Sequence, residues 1–195
     1  MSNIPIAAAS AGQRDKAIEA IVISFAANAT CRWIWPDLSQ YMRAMPVLVE
    51  AIAGDAFRNG SAFVDADVRG VALWLAPDAT QDEDGVGALI EKTVEKERLG
   101  DIEEFFRQLD AFHPHDEKCW YLPFLAVEPF GQNMGLGAAL MRYALERNDA
   151  EGLASYLESS DPRNLTLYER LGFEKLGRIQ VGAFDAVHPM IRRPS

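Results

Sequence analysis

Gln132 to Gly137 read Q-N-M-G-L-G, between an apolar run that ends at Val127 and a helical pattern that begins near Gly137. This junction constrains the chain more than any other segment. It sets two glycines, with no β-carbon to block approach, at a helix N-terminus. There the unpaired backbone N–H groups and the positive end of the helix dipole favour a phosphate. A glycine-rich turn alone is common. Its weight here comes from its neighbours and from a second signature about thirty residues later.

The bulk properties limit what such a loop can serve. At 195 residues and 49% apolar content the chain suits one domain, 1–195, with an ample core. Nineteen basic against 29 acidic residues give a net charge of −10, which repels nucleic acid and anionic membrane and mildly favours a cationic substrate. A bound phosphate must therefore meet a local positive field. Cys31 and Cys119 have no metal-ligand spacing, and no segment approaches the roughly 18 apolar residues of a membrane span. The expectation is a reduced, soluble, cytoplasmic protein with no metal.

Along the chain, residues 1–13 are small and polar and read as a flexible start. Ile18, Ile21, Val22 and Phe25 mark an amphipathic helix. Pro36 and Asp37 turn into a second helix carrying Leu38, Met42 and Met45, which Pro46 should interrupt. Ala62–Val64 and Gly70–Leu75 read as an antiparallel hairpin, and Ile102, Phe105, Phe106, Leu109 and Phe112 as the core stripe of a later helix. His113-Pro114-His115-Asp116 ends that helix without the three or four ligands a zinc site needs.

Cys119 to Val127 reads as a strand, with one anomaly. Pro123 has no N–H and is excluded from regular central strands, so a bulge or a diverging neighbour is expected there. Gly137–Arg147 follows as a helix and Leu153–Ser159 as a strand. Asp161-Pro162 starts a helix that stops at Leu171-Gly172, and Phe173–Val181 and Val187–Arg192 close the chain as strands. Hairpins flank the only alternation of strand and helix. The fold class is therefore α/β (α+β), a mixed sheet with helices packed on it.

A diphosphate on the loop N–H groups would leave the rest of its molecule running back beside the Cys119–Val127 strand. Irregular backbone near Pro123 would suit an extended ligand with amides, such as the pantetheine arm of coenzyme A. The second signature is Asn164-Leu165-Thr166-Leu167-Tyr168-Glu169-Arg170-Leu171-Gly172-Phe173. Asn164 and Tyr168 share a helix face. Asn164 can bond an amide. A phenol such as Tyr168 can protonate a departing thiolate, although a buried tyrosine packing its ring is the alternative.

On these residues the chain resembles the GNAT superfamily of N-acetyltransferases. Gln132, Gly135 and Gly137 match its Q/R-x-x-G-x-G/A loop; Asn164, Tyr168 and Leu171-Gly172-Phe173 match its later signature. Trp120-Tyr121-Leu122 and Tyr156-Leu157-Glu158 look like the puromycin-modifying bacterial type. Asn133 and Met134 stand where glycine or basic residues are frequent in that loop.

The resemblance implies a mostly antiparallel sheet with helices on both faces, whose two central strands splay to admit acetyl-CoA. The backbone of Leu125, Ala126 and Val127 would hold the pantetheine. Gln132, Asn133, Met134, Gly135, Leu136, Gly137 and Ala138 would hold the pyrophosphate. Asn164 would fix the cofactor arm, and Tyr168 would protonate the sulfur in a direct transfer to a small-molecule amine. A protein or peptide amine is the alternative acceptor.

The amine needs a base. Glu158, first, and Glu128 are the candidates, each near a strand end; a solvated or paired carboxylate is the competing reading for both. Trp33 to Trp35 either line the amine pocket or staple the first helices to the sheet, and stapling is the stronger reading. A dinucleotide site fails because Leu140 occupies the third glycine position, and no Gly-Lys-Ser/Thr follows the loop. A non-catalytic acyl-CoA sensor on the same scaffold remains the serious rival. A homodimer is compatible with the sequence, and no feature decides it.

Overall fold

A computed structural model describes residues 4–195. Its seven strands are β1 (Ile6–Ala8), β2 (Ala62–Asp65), β3 (Gly70–Leu75), β4 (Cys119–Val127), β5 (Ala154–Ser159), β6 (Glu174–Lys175) and β7 (His188–Arg192). They form one sheet in the order β1-β2-β3-β4-β5-β7-β6. Every neighbouring pair is antiparallel except β4 and β5. A parallel pair needs a crossover, and α6 (Leu136–Ala150) supplies it. The remaining helices are α1 (Arg14–Phe25), α2 (Ala29–Ile34), α3 (Leu38–Arg58), α4 (Glu83–Thr93), α5 (Leu99–Phe112) and α7 (Leu165–Arg170).

Helices cover both faces, as expected. Val71 and Leu73 of β3 join α1 and α3 in one core; Ala72 and Trp74 join α6 in the other. A strand buried on both faces reads as a continuous apolar run, which is what Gly70–Leu75 is. No described helix is long and apolar enough to cross a membrane.

The irregularity at Pro123 is a β-bulge. Leu73 pairs with Phe124 and Leu75 with Tyr121, so two steps on β3 answer to three on β4. The extra residue switches the alternation. Trp120 and Leu122 face α6, whereas Phe124 and Ala126 face α1 and α3. Pairing of β4 with β5 stops at Leu122–Leu157, one residue before the proline. Beyond that point the two central strands part.

Three expectations are corrected. Within the segment read as flexible, Ile6–Ala8 pair with Asp65–Phe63 of β2, because that edge offers unpaired N–H and C=O groups and Ile6 packs on the α6-side core. Pro46 does not interrupt its helix: α3 runs through it. Tyr41, Met45, Leu48 and Val49 are buried along one face, and their packing outweighs a single lost hydrogen bond. Leu38 and Met42 of the same helix lie on the solvent side.

Phe173–Val181 is a strand only at Glu174–Lys175, with one bridge from Ile179 to Val187. Leu176 N–H reaches Pro189 carbonyl at 2.9 Å, but Pro189 has no N–H to return, so the ladder breaks.

Candidate active site

The glycine loop closes around left-handed backbone. After a 3-10 turn at Pro129–Gly131, Asn133 has φ 61° and Gly135 φ 84°, and Gly135 is the N-cap of α6. Asparagine and glycine are the residues that tolerate this conformation. The first closing bond of α6 runs from Ala139 N–H to Gly135 carbonyl at 3.0 Å. The N–H groups of Leu136, Gly137 and Ala138 precede it and have no partner among the described residues, so they form an anion-binding first turn. Gln132 serves the loop itself: its amide donates to Val127 carbonyl at 3.0 Å. Gln132, Asn133, Met134 and Gly135 are exposed, and Leu136 is buried.

This turn sits where the strands part. A β-carbon on Gly137 would lie 3.7 Å from Val127 and 3.8 Å from Leu167, so the loop, the end of β4 and α7 converge there. Leu125 and Val127 face the α6-side core, while Ala126 is buried opposite.

A short helix carries the second signature. Asp161 caps a 3-10 turn at Pro162–Asn164, accepting from Arg163 N–H at 2.9 Å, and α7 follows. Phe173 N–H bonds Tyr168 carbonyl and Gly172 N–H bonds Glu169 carbonyl, both at 3.0 Å. With Gly172 at φ 89°, this is a Schellman stop, and the Tyr168 and Phe173 rings make its apolar contact at 6.0 Å. The Leu171-Gly172-Phe173 pattern thus fixes Tyr168. Burial, and then the charge of Asp161, push its phenol well above the usual tyrosine value, so it stays protonated at neutral pH. Asn164 is exposed, with no side-chain hydrogen bond among the described residues.

Glu158 lies on the opposite face. It follows the last β4–β5 pair and is half-buried, level with Pro123. Burial raises its carboxyl to about 7, against the opposing pull of the Tyr121 and Tyr156 phenols, which point towards it. Tyr121 and Tyr156 are register partners. Tyr156 is fully buried and its Oη makes no hydrogen bond of good geometry. The His113 ring packs edge-on against both, with centroids 5.0 Å from each.

Glu128 does not join this cluster. It stands five residues beyond Pro123, about 16 Å along an extended strand, and its N–H bonds Arg69 carbonyl at 2.8 Å.

The α1–α2 connection walls the Glu158 side. Asn28 caps α2 and donates from Nδ2 to Ser160 Oγ at 3.0 Å, just past β5. Phe25 meets Phe124 edge-on at 5.9 Å. Trp35 is a staple, fully buried with Nε1 donating to Thr93 Oγ1 at 2.9 Å. Trp33 packs on Phe105 and Phe184, and Arg98 caps the end of α2 through the Trp33 and Ile34 carbonyls.

Burial lifts the thiols of Cys31 and Cys119 to about 12 and about 11, leaving both protonated and poorly nucleophilic. Among the described residues no group of three or more His, Cys, Asp or Glu side chains is arranged to hold a metal ion.

Sequence reasoning passed over Tyr121, Tyr156 and His113 as site residues. Each alone is an ordinary strand aromatic or helix-end histidine. Only the β4–β5 register, offset by 35 positions, brings the two tyrosines together, and only the packing of the α5 end on that sheet brings His113 to them.

A model of the Acetyltransferase (GNAT) family matches residues 86–173. An uncharacterized N-acetyltransferase of Schizosaccharomyces pombe is 27% identical over 171 residues, spanning 81% of this chain and 69% of that protein. Together these findings support an acetyltransferase of the GNAT superfamily.

Solved structures show the same fold. One is a histone acetyltransferase HPA2 and related acetyltransferase from Corynebacterium glutamicum, with TM-score 0.71, 24% identity and coverage of 100% and 98% of the two chains. Another is arylalkylamine N-acetyltransferase 2 from Aedes aegypti, with TM-score 0.67, 16% identity and both chains fully covered. An agmatine N-acetyltransferase superposes with TM-score 0.67 at 12% identity, covering 98% and 100%.

Proposed function

We propose that the protein transfers an acetyl group from acetyl-CoA directly to the primary amine of a small molecule, with Glu158 taking the amine proton and Tyr168 supplying one to sulfur. The observation that carries this reading is a pair of titratable groups, both raised by burial, on opposite faces of the sheet beside the parted strands. Glu158 titrates near neutrality on the α1–α2 side. Tyr168 is held protonated on the α6–α7 side. A carboxyl that exchanges its proton near neutrality, set opposite a phenol that keeps its own, gives the base and the acid that proton transfer needs.

The residues fit coenzyme A. The unpartnered N–H groups of Leu136, Gly137 and Ala138 suit a pyrophosphate, and nothing stands within 4 Å of a β-carbon built on Gly135. The backbone of Leu125, Ala126 and Val127, past the end of β5 pairing, suits the amides of pantetheine. Asn164, exposed and with no side-chain hydrogen bond among the described residues, would hold the same arm.

When bound, acetyl-CoA supplies the thioester. The chain's own part is to orient it on backbone, accept a proton at Glu158 and donate one at Tyr168 Oη. The two protonated cysteines favour direct transfer over an acyl-enzyme. Of the two candidate bases Glu158 is preferred, since Glu128 belongs to the phosphate-loop end.

A small-molecule acceptor is supported by the walled α1–α2 side. Neighbours named as arylalkylamine and agmatine N-acetyltransferases are consistent with it. Within the superfamily, Trp120-Tyr121-Leu122 and Tyr156-Leu157-Glu158 favour the puromycin-modifying type.

The test is thiol release from acetyl-CoA with aminonucleosides, polyamines, arylalkylamines and peptides, beside the Tyr168→Phe variant. Transfer to a small amine is expected, with turnover of the variant down about 100-fold at near-normal acetyl-CoA affinity. Tight acetyl-CoA binding with no transfer to any amine would make the protein a sensor. Full activity of Tyr168→Phe would remove the acid.

A further inference from the structure

Each turnover of the proposed reaction leaves a proton behind. As the N–C bond forms, an alkylammonium gives up two N–H protons. As the C–S bond breaks, the sulfur takes a proton from Tyr168, and one of the two makes good that loss. The other must leave from the Glu158 side. While coenzyme and acceptor fill the parted strands, the mouth by which they entered is the least open way out.

A second way lies in the opposite direction along β4 and β5. One register pair back from the parting point stand Tyr121 and Tyr156, whose phenols face Glu158. Against both rings packs His113, at 5.0 Å from each centroid. His113 and Tyr121 in turn line a polar cleft of about 340 Å³, whose rim includes the exposed Asp116, Glu117 and Lys118. The side chains therefore pack one against the next from the carboxylate to the cleft, through ring contacts rather than an unbroken run of hydrogen bonds. Tyr156 Oη, fully buried and facing Glu158 without a hydrogen bond of good geometry among the described residues, sits within this line. Buried hydroxyls are rarely left so, and those that are call for a functional account.

We propose that His113 is the proton exit of the site, passing the proton that Glu158 collects, by way of the Tyr121 and Tyr156 phenols, into the polar cleft at the far end of β4. The proposal rests on the reading of Glu158 as base. An imidazole suits the task, since it accepts at one nitrogen and donates at the other. Burial, then the neighbouring His115, holds His113 below the ordinary histidine value, with Asp110 pulling the other way, so the ring does not trap the proton.

The groups facing it are Asp110 and His115 from its own turn, Tyr121 from β4, and Tyr156 with Glu158 behind it from β5. Glu117, at the rim, is paired with Arg193.

The experiment compares wild type, His113→Phe and His113→Ala on the best amine acceptor, in H2O and D2O, across pH, with and without added imidazole. A phenyl ring keeps the edge contacts with both tyrosines, so His113→Phe tests the nitrogen atoms and not the packing. The expected result is a kcat lowered about tenfold with unchanged KM for acetyl-CoA, a larger solvent isotope effect, and an altered pH profile. Imidazole should restore His113→Ala and leave His113→Phe unmoved.

Wild-type kcat and isotope effect in His113→Phe, or an Ala deficit indifferent to imidazole, overturns the exit while leaving Glu158 in place. Absence of transfer by the wild type to every amine overturns the reaction and the exit together.

Discussion

At the scale of single residues, Glu158 sets stability against activity. Its carboxyl is raised from 4.5 to about 7 chiefly by burial, so the folded chain holds that proton more tightly than the unfolded chain does. The sign follows. The group favours the fold below its unfolded value, and that contribution is lost as pH rises through about 7, where the base becomes active. At pH 8 the ionised carboxylate costs at most about 3 kcal/mol, since it is only partly covered.

Glu158→Gln should therefore lower acetyl transfer about 100-fold and abolish the rise of activity through neutral pH. It should also raise Tm at pH 8 by several degrees, with no gain at pH 4. Rates and thermal melts at the two pH values check both halves. An unchanged pH–rate profile would remove Glu158 as base. The sequence pointed to this glutamate by its place after a strand, but not to the phenols that temper it, because a cross-strand pair is visible only once the register is known.

Elements place the cradle, and one glycine outside the loop decides where it lies. α6 packs on the start of β3 at Gly70, where an added β-carbon would stand 2.7 Å from Leu136 side-chain atoms and 2.9 Å from Leu140. Both leucines are buried in the first turns of the helix whose N-terminus forms the phosphate site. At Gly137 the same carbon meets only ordinary contacts, at 3.7 and 3.8 Å. Gly70→Ala is thus expected to cost about 1–3 kcal/mol and to weaken acetyl-CoA binding, while Gly137→Ala leaves the fold unchanged. Denaturant melts and calorimetric acetyl-CoA titration of both variants test this; equal stability of the two would disprove the packing argument.

Gly137 was legible from the loop pattern, whereas Gly70 looked like a hairpin glycine whose reason lies across the sheet. Pro123 was legible because a proline in a strand has few solutions, and a bulge is one. Pro46 misled because local backbone cost is visible in sequence and the buried face of α3 that outweighs it is not. The Ile6–Ala8 strand is short and small-sided, and only the free edge of β2 makes it a strand.

Across the whole molecule, the two halves of the site are joined at their far ends by one arginine. Arg192, at the end of β7, donates from Nε to Leu171 carbonyl at 2.8 Å, just past α7. Its guanidinium pairs with Asp149 in the last turn of α6, at 2.5 and 2.8 Å. The cradle is the other end of α6, and Tyr168 lies one turn before Leu171. Both side chains are largely covered, at 11% and 21% exposure, so this pair is not the solvent-screened kind whose loss goes unnoticed.

Arg192→Ala strands a half-buried carboxylate and frees the stop of α7, for about 3 kcal/mol and a fall in Tm on the order of 10 °C at pH 7. The hydrogen bonds from Arg192 hold the Asp149 carboxyl below its usual range. Their contribution is therefore present above the ordinary carboxylate value and lost as pH falls through the lowered one. The wild-type advantage should shrink on acidification and be smallest near about pH 2, below the carboxylate range. Arg192→Lys should recover only part of it, since an ammonium cannot hold two carboxylate oxygens and the Leu171 carbonyl in one plane. Thermal melts of the three proteins at neutral and acid pH decide the point, and a Tm for Arg192→Ala equal to wild type at pH 7 would show that α6 and α7 are held together without this clamp.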